Sequence, residues 1–359
     1  MPKFEHDILG LIPQTDWLNV GFDVTRQNDP VDGLFGDQRT ENLVAEWESI
    51  ASEYQIPAMA MFHGFDTEAQ TTVRVPIDAH NIEKGLIKVK INQSERLRAL
   101  LGHGVRNDAL YDYVMDDGIN LAEQVFTRSK VAKNELLATG KITIEENGLD
   151  LEVDYGVPAG NVDETLDTGA GAQSDLTEQI QDIVDHALAS GVELNGLYCS
   201  RKLLQAMRAN ESIQIAINGT YGAGALVRMD ALKSFLEEEY GISKIITNDQ
   251  YYSLPRTISA VTGKPTGVTR KYYPETKATF FQTNNAGRLG VGLWGNPPEM
   301  DGIDLLGFSS AEYPYVYISQ WQEKDPAVIW TKASALFMPV LYNPNSLFIA
   351  TVSATPKNQ

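Results

Sequence analysis

The segment from Thr71 to Arg106 carries charge opposite to that of the rest of the chain and leads directly into a very long helical pattern. It holds seven bases and three acids, a balance of +4, within a chain whose net charge is −19. Its pattern is extended and cannot bury a core of its own, and an isolated hairpin is only marginally stable in water. We therefore expect this segment to pack on a partner, most simply another copy of the same chain.

The stretch that follows, residues 107–139, predicts one long α-helix. Its apolar residues recur at spacings of 4, 7, 4, 7 and 4, at Leu110, Val114, Leu121, Val125, Ala132 and Leu136. Eleven residues nearly complete three turns of a straight helix, so the apolar stripe stays on one side without left-handed supercoiling. This pattern favours a helix packed on a sheet over a coiled coil. Gly140 suits the position just after the last helical residue.

The chain before and after this helix predicts a mixed α+β protein. Before it, we predict an irregular arm over residues 1–40, a helix over 41–54 and a long hairpin-like excursion over 58–92. After it, Asn147-Gly148 between alternating apolar residues indicates a β-hairpin. Residues 156–174 have the composition of a linker or loop.

From Asp175 onward the pattern changes to short α/β units. Asp175 or Ser174 is the expected N-cap of a helix that ends at Ala189. Further helices are predicted at 201–209 and 225–240, and strands at 197–199, 242–247, 278–282 and 289–294. The last fifty residues indicate long strands, interrupted by a turn at Pro344.

Composition excludes several classes of function. The isoelectric point near 4.6 argues against a surface that grips nucleic acid, because such binding needs many Lys and Arg residues. The single cysteine, Cys199, rules out an internal disulfide bond. The N-terminus lacks the pattern of a secretory signal, and no apolar run approaches the ~18 residues that a membrane span needs.

The residues that could carry chemistry do not form a recognisable catalytic or cofactor site. Asp182 and His186 are one helical turn apart and could pair or bind a metal, but a solvated helix face is the simpler interpretation. Gly222 and Gly224 form only part of a nucleotide-binding pattern. Cys199 lies in an apolar strand and is expected to be an inert, buried thiol. We therefore predict no enzyme activity, no catalytic or metal-binding residue and no cofactor.

The order of these segments resembles that of the major capsid proteins of tailed bacteriophages, the lambda-type E family, which have the Hong Kong 97 capsid fold. Three stretches carry the resemblance, and they read ELLATGKITIEENGLDLEVDYG (135–156), ATFFQTNNAGRLGVGLWG (278–295) and WTKASALFMPVLYNPNSLFIATV (330–352). The resemblance covers roughly residues 40–352. Each stretch is a weak pattern by itself, and their order and spacing carry the similarity.

The resemblance implies an α+β fold with four parts. Residues 1–57 would form an N-terminal arm with a short helix, and 58–95 an extended loop. A peripheral domain would comprise 96–160 with 312–334, in which a spine helix at 107–139 lies on a sheet built from 141–155 and 313–334. An α/β axial domain would comprise 161–311 with 335–359.

The resemblance also implies the partners and location of the chain. Copies would form pentamers and hexamers of an icosahedral shell that encloses double-stranded DNA without binding it specifically, in the virion after assembly in the host cytoplasm. Portal, scaffolding and decoration proteins are further expected partners. The short region before the first predicted helix suggests that scaffolding is a separate protein or is already cleaved.

The basic residues of the extended loop are the expected contacts between subunits: Arg74, Lys84, Lys88, Lys90, Arg96 and Arg98. They would meet acidic surface of a neighbour, since residues 107–197 hold four bases and nineteen acids. Any local attraction for DNA would come from a few cations, with Lys3 and Arg26 in the arm or Arg128 and Lys130 on the spine helix as candidates.

Two other functions stay open at this point. An encapsulin-like compartment shell would share the fold but hold a protein cargo. An α/β enzyme with a regulatory hairpin would need a cluster of titratable residues in a pocket, and the sequence has no signature of one.

Overall fold

The structure is a computed structural model that describes residues 29–50, 59, 77–93, 107–146, 148–169, 175–219, 224–255, 257–258, 265–298, 315–324 and 327–353. Its helices are α1 (Asn107–Thr139), α2 (Ala159–Val162), α3 (Leu176–Ala189), α4 (Arg201–Ala209), α5 (Glu211–Asn218) and α6 (Met229–Tyr240), with 3-10 turns at Pro30–Gly33 and Pro344–Ser346. The first nine strands are β1 (Phe35–Arg39), β2 (Val44–Ile50), β3 (Ile77–Glu83), β4 (Gly85–Gln93), β5 (Lys141–Glu146), β6 (Leu149–Asp154), β7 (Glu164–Asp167), β8 (Gly196–Cys199) and β9 (Lys244–Thr247). The others are β10 (Tyr251–Ser253), β11 (Thr257–Ile258), β12 (Pro265–Thr266), β13 (Thr269–Lys271), β14 (Lys277–Phe281), β15 (Gly290–Gly295), β16 (Tyr317–Lys324), β17 (Ala327–Leu341) and β18 (Leu347–Ser353).

The long helix α1 has the predicted bounds, and the four residues of its predicted stripe whose side chains are described, Leu121, Val125, Ala132 and Leu136, are all buried. It packs on a sheet, as predicted. Phe126 and Leu137 are buried as well, so the helix is covered on more than one side. Gly140 ends the helix with φ +72°, and its N–H donates to the carbonyl of Leu136. A left-handed residue of this kind is the usual reason for glycine at a helix end.

A five-stranded sheet forms the body on which α1 lies. The order along one path is β1-β15-β17-β16, and β4 pairs with the opposite side of β17. The fifteen-residue strand β17 is long enough to pair with β15 near one end and with β16 near the other. Residues from α1, β4, β15, β16 and β17 share one apolar core.

A second layer is built of α/β units around the sheet β7-β18-β14-β8-β9. Strands β8 and β9 are parallel, and helices α4, α5 and α6 lie between them in the chain. The helices begin at side-chain caps, because Asp175, Ser200 and Asn210 each accept a backbone N–H of the first turn. A second apolar core lies between these helices and the sheet.

The predicted hairpin after α1 is confirmed as β5 and β6, whose register pairs Ile142 with Val153 and Ile144 with Leu151. Gly148 has φ +81°, as a tight two-residue turn requires. The hairpin is its own two-stranded sheet. The expectation that residues 141–155 and 313–334 form one peripheral sheet is therefore wrong, because 317–324 and 327–341 pair with each other and with strands from elsewhere.

The helix predicted over 41–54 is also wrong, since residues 44–50 form strand β2. Leu43, Val44, Trp47 and Ile50 recur at spacings that suit a helix face. The antiparallel pairing of β2 with β3 overrides that local pattern, because it satisfies the backbone of both segments. Residues 51–54 lie outside the described part of the chain, as do residues 60–76 of the excursion predicted over 58–92.

Other predicted segments are more ordered than expected. The arm predicted as irregular contains a 3-10 turn and β1, which adds to β15 in parallel. Residues 156–169, predicted as a linker, include α2 and β7, and β7 pairs with β18. Between β9 and β14, the chain also forms two short strand pairs, β10 with β13 and β11 with β12. Helix α6 begins at Met229 rather than 225, and α5 was not predicted.

The extended loop predicted over 58–95 has its C-terminal part in the main sheet. Strand β4 pairs with β17 along its whole length, and Ile87 and Val89 pack against the apolar core. Residues 85–93, which we expected to pack on another copy of the chain, therefore pack on the main sheet of their own chain. The boundary predicted between residues 334 and 335 likewise falls inside β17.

None of the described helices is long and apolar enough to span a membrane.

Candidate assembly surfaces

Lys84, predicted as a contact between subunits, instead closes a turn within its own chain. It is buried, and its Nζ donates to the carbonyls of Thr40 and Asn42 and to the Thr40 hydroxyl, at 3.2, 2.5 and 2.6 Å. Burial lowers the pKa of this ammonium group. Lys84 therefore stabilises the connection from β1 to β2 and offers no charge to a neighbour.

Lys88 and Lys90, by contrast, are exposed on β4. Strand register places Lys90 opposite Lys332 and Asn92 opposite Trp330, while Trp330 and Lys332 face Trp321 and Ser319 on β16. Side chains at directly paired positions lie on the same face of a sheet. We call the surface formed by Lys88, Lys90, Trp321, Trp330 and Lys332 the tryptophan–lysine face.

Close contacts organise the tryptophan–lysine face. The two tryptophan rings are nearly parallel, at 17°, with centroids 6.2 Å apart. Lys90 Nζ lies 4.2 Å from the centroid of Trp330, and Lys332 Nζ lies 5.8 Å from that of Trp321. Trp330 Nε1 donates a 2.8 Å hydrogen bond to Glu323. Cation–π contacts of this kind hold the two ammonium groups close to the rings.

The tryptophan–lysine face points away from α1. The alternate residues of the same strands, which include Val89, Ile318, Ala333 and Ala335, enter the core shared with α1. Successive side chains of a strand point to opposite sides of a sheet. One side of this sheet is therefore the core, and the other carries three lysines and a single described acid, Glu323.

The hairpin β5–β6, residues 141–154, is strongly acidic, and we call it the acidic hairpin. It holds five acids and one base. Glu152 and Asp154 pair with Lys141, and Glu146 pairs with Arg128. Glu145 and Asp150 are exposed and have no ion-pair partner within the described residues. Leu149 and Leu151 are 62% and 46% exposed, so its outer half is both acidic and apolar.

Contacts with α1 fix the direction of the acidic hairpin. Glu135 of α1 accepts the Thr143 N–H at 2.9 Å, and burial raises the pKa of this carboxyl. A second contact joins Arg128, nearer the N-terminus of α1, to Glu146, nearer the turn of the hairpin, with Arg128 Nε 3.3 Å from Glu146 Oε1. The hairpin therefore runs back along α1, with its turn extending toward the N-terminal half of the helix.

A buried ion cluster ties the segment before β2 to α1. Lys133 is 1% exposed, and its Nζ lies 3.0 Å from Asp32 Oδ1 and 2.9 Å from Asp37 Oδ1. Lys130 approaches Asp32 at 4.0 Å and is buried too. Lys130 is therefore part of this cluster, and both DNA-contact candidates of α1, Arg128 and Lys130, are engaged by acids of the same chain.

Next to this cluster, a buried polar network joins three regions of the chain. Asn248 Nδ2 lies 3.0 Å from Asp29 Oδ1, 3.1 Å from Asn134 Oδ1 and 2.8 Å from the Tyr198 hydroxyl. Burial raises the pKa of the Asp29 carboxyl and of the Tyr198 hydroxyl. The network therefore links Asp29, and Asn134 of α1, to Tyr198 and Asn248 of the α/β layer.

Several residues that could carry chemistry have structural contacts in the described chain. His186 lies 2.6 Å from Glu164 rather than pairing with Asp182. Cys199 is buried, which raises the pKa of its thiol, in accordance with the expected inert role. Ser200 caps α4. The described residues contain no group of three or more acidic, histidine or cysteine side chains placed to hold a metal ion.

Three of the predicted contact residues, Arg74, Arg96 and Arg98, lie outside the described residues, as do Gly222 and the DNA-contact candidates Lys3 and Arg26. The sequence analysis missed Trp321, Trp330 and Lys332. The alternation in YISQWQ and IWTK could have suggested that both tryptophans share an outward face. Only the register of β16 with β17 shows that they are direct neighbours.

Comparison with known proteins gives one family and many structures. The family model described as phage major capsid protein E matches residues 60–352. A structure from Microbacterium phage Oxtober96 has a TM-score of 0.48 at 12% identity, covering 94% of this chain and 95% of its own. The mature capsid of bacteriophage PhiM1 has a TM-score of 0.47 at 8% identity, covering 94% and 90%. No curated protein matches the chain.

Proposed function

Since the chain belongs to the family of phage major capsid protein E and is thus a structural subunit of a phage shell, we propose that its copies join as pentamers and hexamers that enclose double-stranded DNA. The family match over residues 60–352 carries this conclusion. An encapsulin-like shell and an α/β enzyme are not favoured by it. The shell would assemble in the host cytoplasm, with portal, scaffolding and decoration proteins as further partners.

The chain acts by assembly and not by catalysis in this proposal. Of the residues considered for chemistry, His186 contacts Glu164 and Cys199 is a buried thiol. The described surface instead carries two features typical of interfaces, a basic face with half-buried tryptophans and an acidic hairpin with exposed leucines. Both suit contacts between identical subunits, which form closed rings when each copy contacts the next in the same way.

The basic residues of the loop segment remain proposed subunit contacts, with one exception. Lys88 and Lys90 are exposed in the structure and belong to the tryptophan–lysine face. We retain Arg74, Arg96 and Arg98 as proposed contacts from their position in the sequence. We no longer propose Lys84 as a contact, because its ammonium group donates hydrogen bonds to the Thr40 and Asn42 carbonyls of its own chain.

Purified protein should form closed particles visible by negative-stain electron microscopy. Obligate assemblies bury on the order of 2,000–5,000 Å² or more per interface, which is enough to hold subunits together in dilute solution. Hexamers, pentamers or shells at micromolar concentration are the expected result. A protein that remains a monomer at high concentration, with and without a coexpressed scaffolding protein, would contradict the proposed function.

The isolated subunit should bind duplex DNA weakly or not at all at physiological salt. Its net charge of −19 repels phosphate, and the cations of α1 are engaged by Asp32 and Glu146. A mobility-shift titration with a short duplex measures this. Binding below about 1 μM with a steep dependence on salt would mean that the protein holds DNA through many phosphate contacts.

A further inference from the structure

We propose that the side chain of Asp29 is a pH-sensitive switch, which in its neutral form holds the segment before β2 against α1 and the α/β layer and loosens that segment when the carboxyl ionises. We call residues 29–39, which comprise the first 3-10 turn and β1, the anchor segment. The switch belongs to the subunit itself, so it does not depend on the proposed shell function.

Asp29 is a buried carboxyl at the start of the anchor segment, and only 3% of the residue is exposed. Its Oδ1 accepts hydrogen bonds from the Val31 N–H at 2.9 Å and from Asn248 Nδ2 at 3.0 Å. None of the described residues donates to Oδ2, although this oxygen is buried as well. A buried charge is costly when its oxygens lack donors, and the neutral acid is much less costly to bury.

The neighbouring polar network has few hydrogens for these oxygens. Asn248 Nδ2 carries two hydrogens and faces three oxygens of the network, one of which belongs to Asp29. The Tyr198 hydroxyl already donates to Asn134 Oδ1 at 2.8 Å. Oxygen atoms therefore outnumber the hydrogens available to them, and a proton bound by the Asp29 carboxyl reduces that imbalance.

Charged and titratable groups face Asp29 from each element around it: Asp32 of its own segment, Lys130 of α1, Tyr198 of β8 and Tyr272 after β13. Lys130 also approaches Asp32, at 4.0 Å, so its charge is shared. Burial raises the pKa of both tyrosine hydroxyls, which therefore stay neutral near pH 7. Burial is also the largest influence on Asp29, and it raises the pKa of that carboxyl.

Acid therefore tightens the attachment of the anchor segment at Asp29. The contribution of the neutral carboxyl is present in full below its ordinary pKa of 3.8, and it is lost as the pH rises through the raised pKa of the folded state. The contacts of Lys133 with Asp32 and Asp37 hold the same segment at a second point and need ionised carboxylates. Acid weakens those contacts, so the switch is best measured above about pH 5, where carboxyls of ordinary pKa are ionised.

Hydrogen exchange of the full chain at pH 5 and pH 8 tests the switch. After correction for the intrinsic effect of pH on exchange, the β1 amides of the wild type should be about tenfold less protected at pH 8 than at pH 5. Asp29→Asn has no proton to lose, so its protection should stay within about twofold between the two pH values. Asp29→Ser keeps an oxygen that can accept the Val31 N–H and should behave in the same way.

Glu135→Gln is the matched control, because it replaces a carboxyl of raised pKa that contacts the acidic hairpin instead of the anchor segment. It should keep the wild-type dependence on pH. The two Asp29 variants also separate Asp29 from the histidines of the chain, which titrate in the same range. Sedimentation checks that the assembly state is the same at both pH values.

Two results would overturn the switch while leaving the proposed shell function intact. The first is wild-type protection of β1 that is equal or higher at pH 8. The second is a change with pH that persists in both Asp29 variants or disappears in Glu135→Gln, because the titrating group would then not be Asp29. Failure of the wild type to assemble, by contrast, contradicts the shell function and leaves the exchange measurement valid.

Discussion

Replacing Lys133 by Met should lower the free energy of unfolding by about 2–3 kcal/mol, because two carboxylates lose the cation that neutralises them. Removing one member of a fully buried ion pair costs about 3–5 kcal/mol. Asp32 and Asp37 are partly exposed, at 27% and 18%, so water recovers part of that cost. Urea denaturation of the isolated subunit measures the change.

Two further variants test whether Lys133→Met loses stability through unpaired charge or through lost side-chain packing. Adding Asp32→Asn and Asp37→Asn to Lys133→Met should restore about half of the lost stability or more, since no uncompensated charge remains. Arg128→Met breaks a more exposed pair with Glu146 and should cost less than about 1 kcal/mol. An equal cost for Lys133→Met and Arg128→Met, or no recovery in the triple variant, would show that the buried cluster is not what stabilises this region.

Replacing Gly290 by Ala should destabilise the protein by about 3 kcal/mol and release β1 from the sheet. Gly290 pairs with Phe35 on one side and Leu341 on the other. A Cβ atom there would lie 2.1 Å from the Val340 carbonyl oxygen and 2.7 Å from the Phe35 ring. The first contact is with backbone, which cannot rotate away, so the strands must separate.

Limited proteolysis locates this effect. The Gly290→Ala variant should be cleaved between residues 29 and 40 under conditions in which the wild type is protected, because β1 is the edge strand that leaves. Gly33→Ala is the control, since a Cβ at Gly33 meets nothing within 4 Å. A Gly290→Ala protein with wild-type melting and wild-type protection would show that the strands accommodate the methyl group.

The parts of the fold that depend on neighbouring residues in sequence were predictable. The bounds of α1 follow from a long apolar stripe and from Gly140, the hairpin β5–β6 from Asn147-Gly148, and the start of α3 from Asp175. In each case the interactions that define the element lie within a few residues of one another. The family was predicted too, because the order of such segments is itself a property of the sequence.

Pairings between distant segments were not predictable in the same way. Strand β2 is formed by pairing with β3, β4 by pairing with β17, and β1 by pairing with β15. The local pattern of residues 41–54 suits a helix, and the backbone hydrogen bonds to a distant strand decide otherwise. Propensity is a weak determinant wherever tertiary contacts satisfy the same backbone groups.

The sequence by itself determined that this chain is an acidic α+β subunit with a long central helix, a basic segment before it and membership of a capsid family. Only the tertiary structure decided what each lysine of that segment does. Lys84 turns inward because the carbonyls of Thr40 and Asn42 lie within its reach, whereas Lys90 lies over Trp330 and stays exposed. A lysine is buried only where oxygen atoms replace its water, and those atoms come from residues far away in the chain.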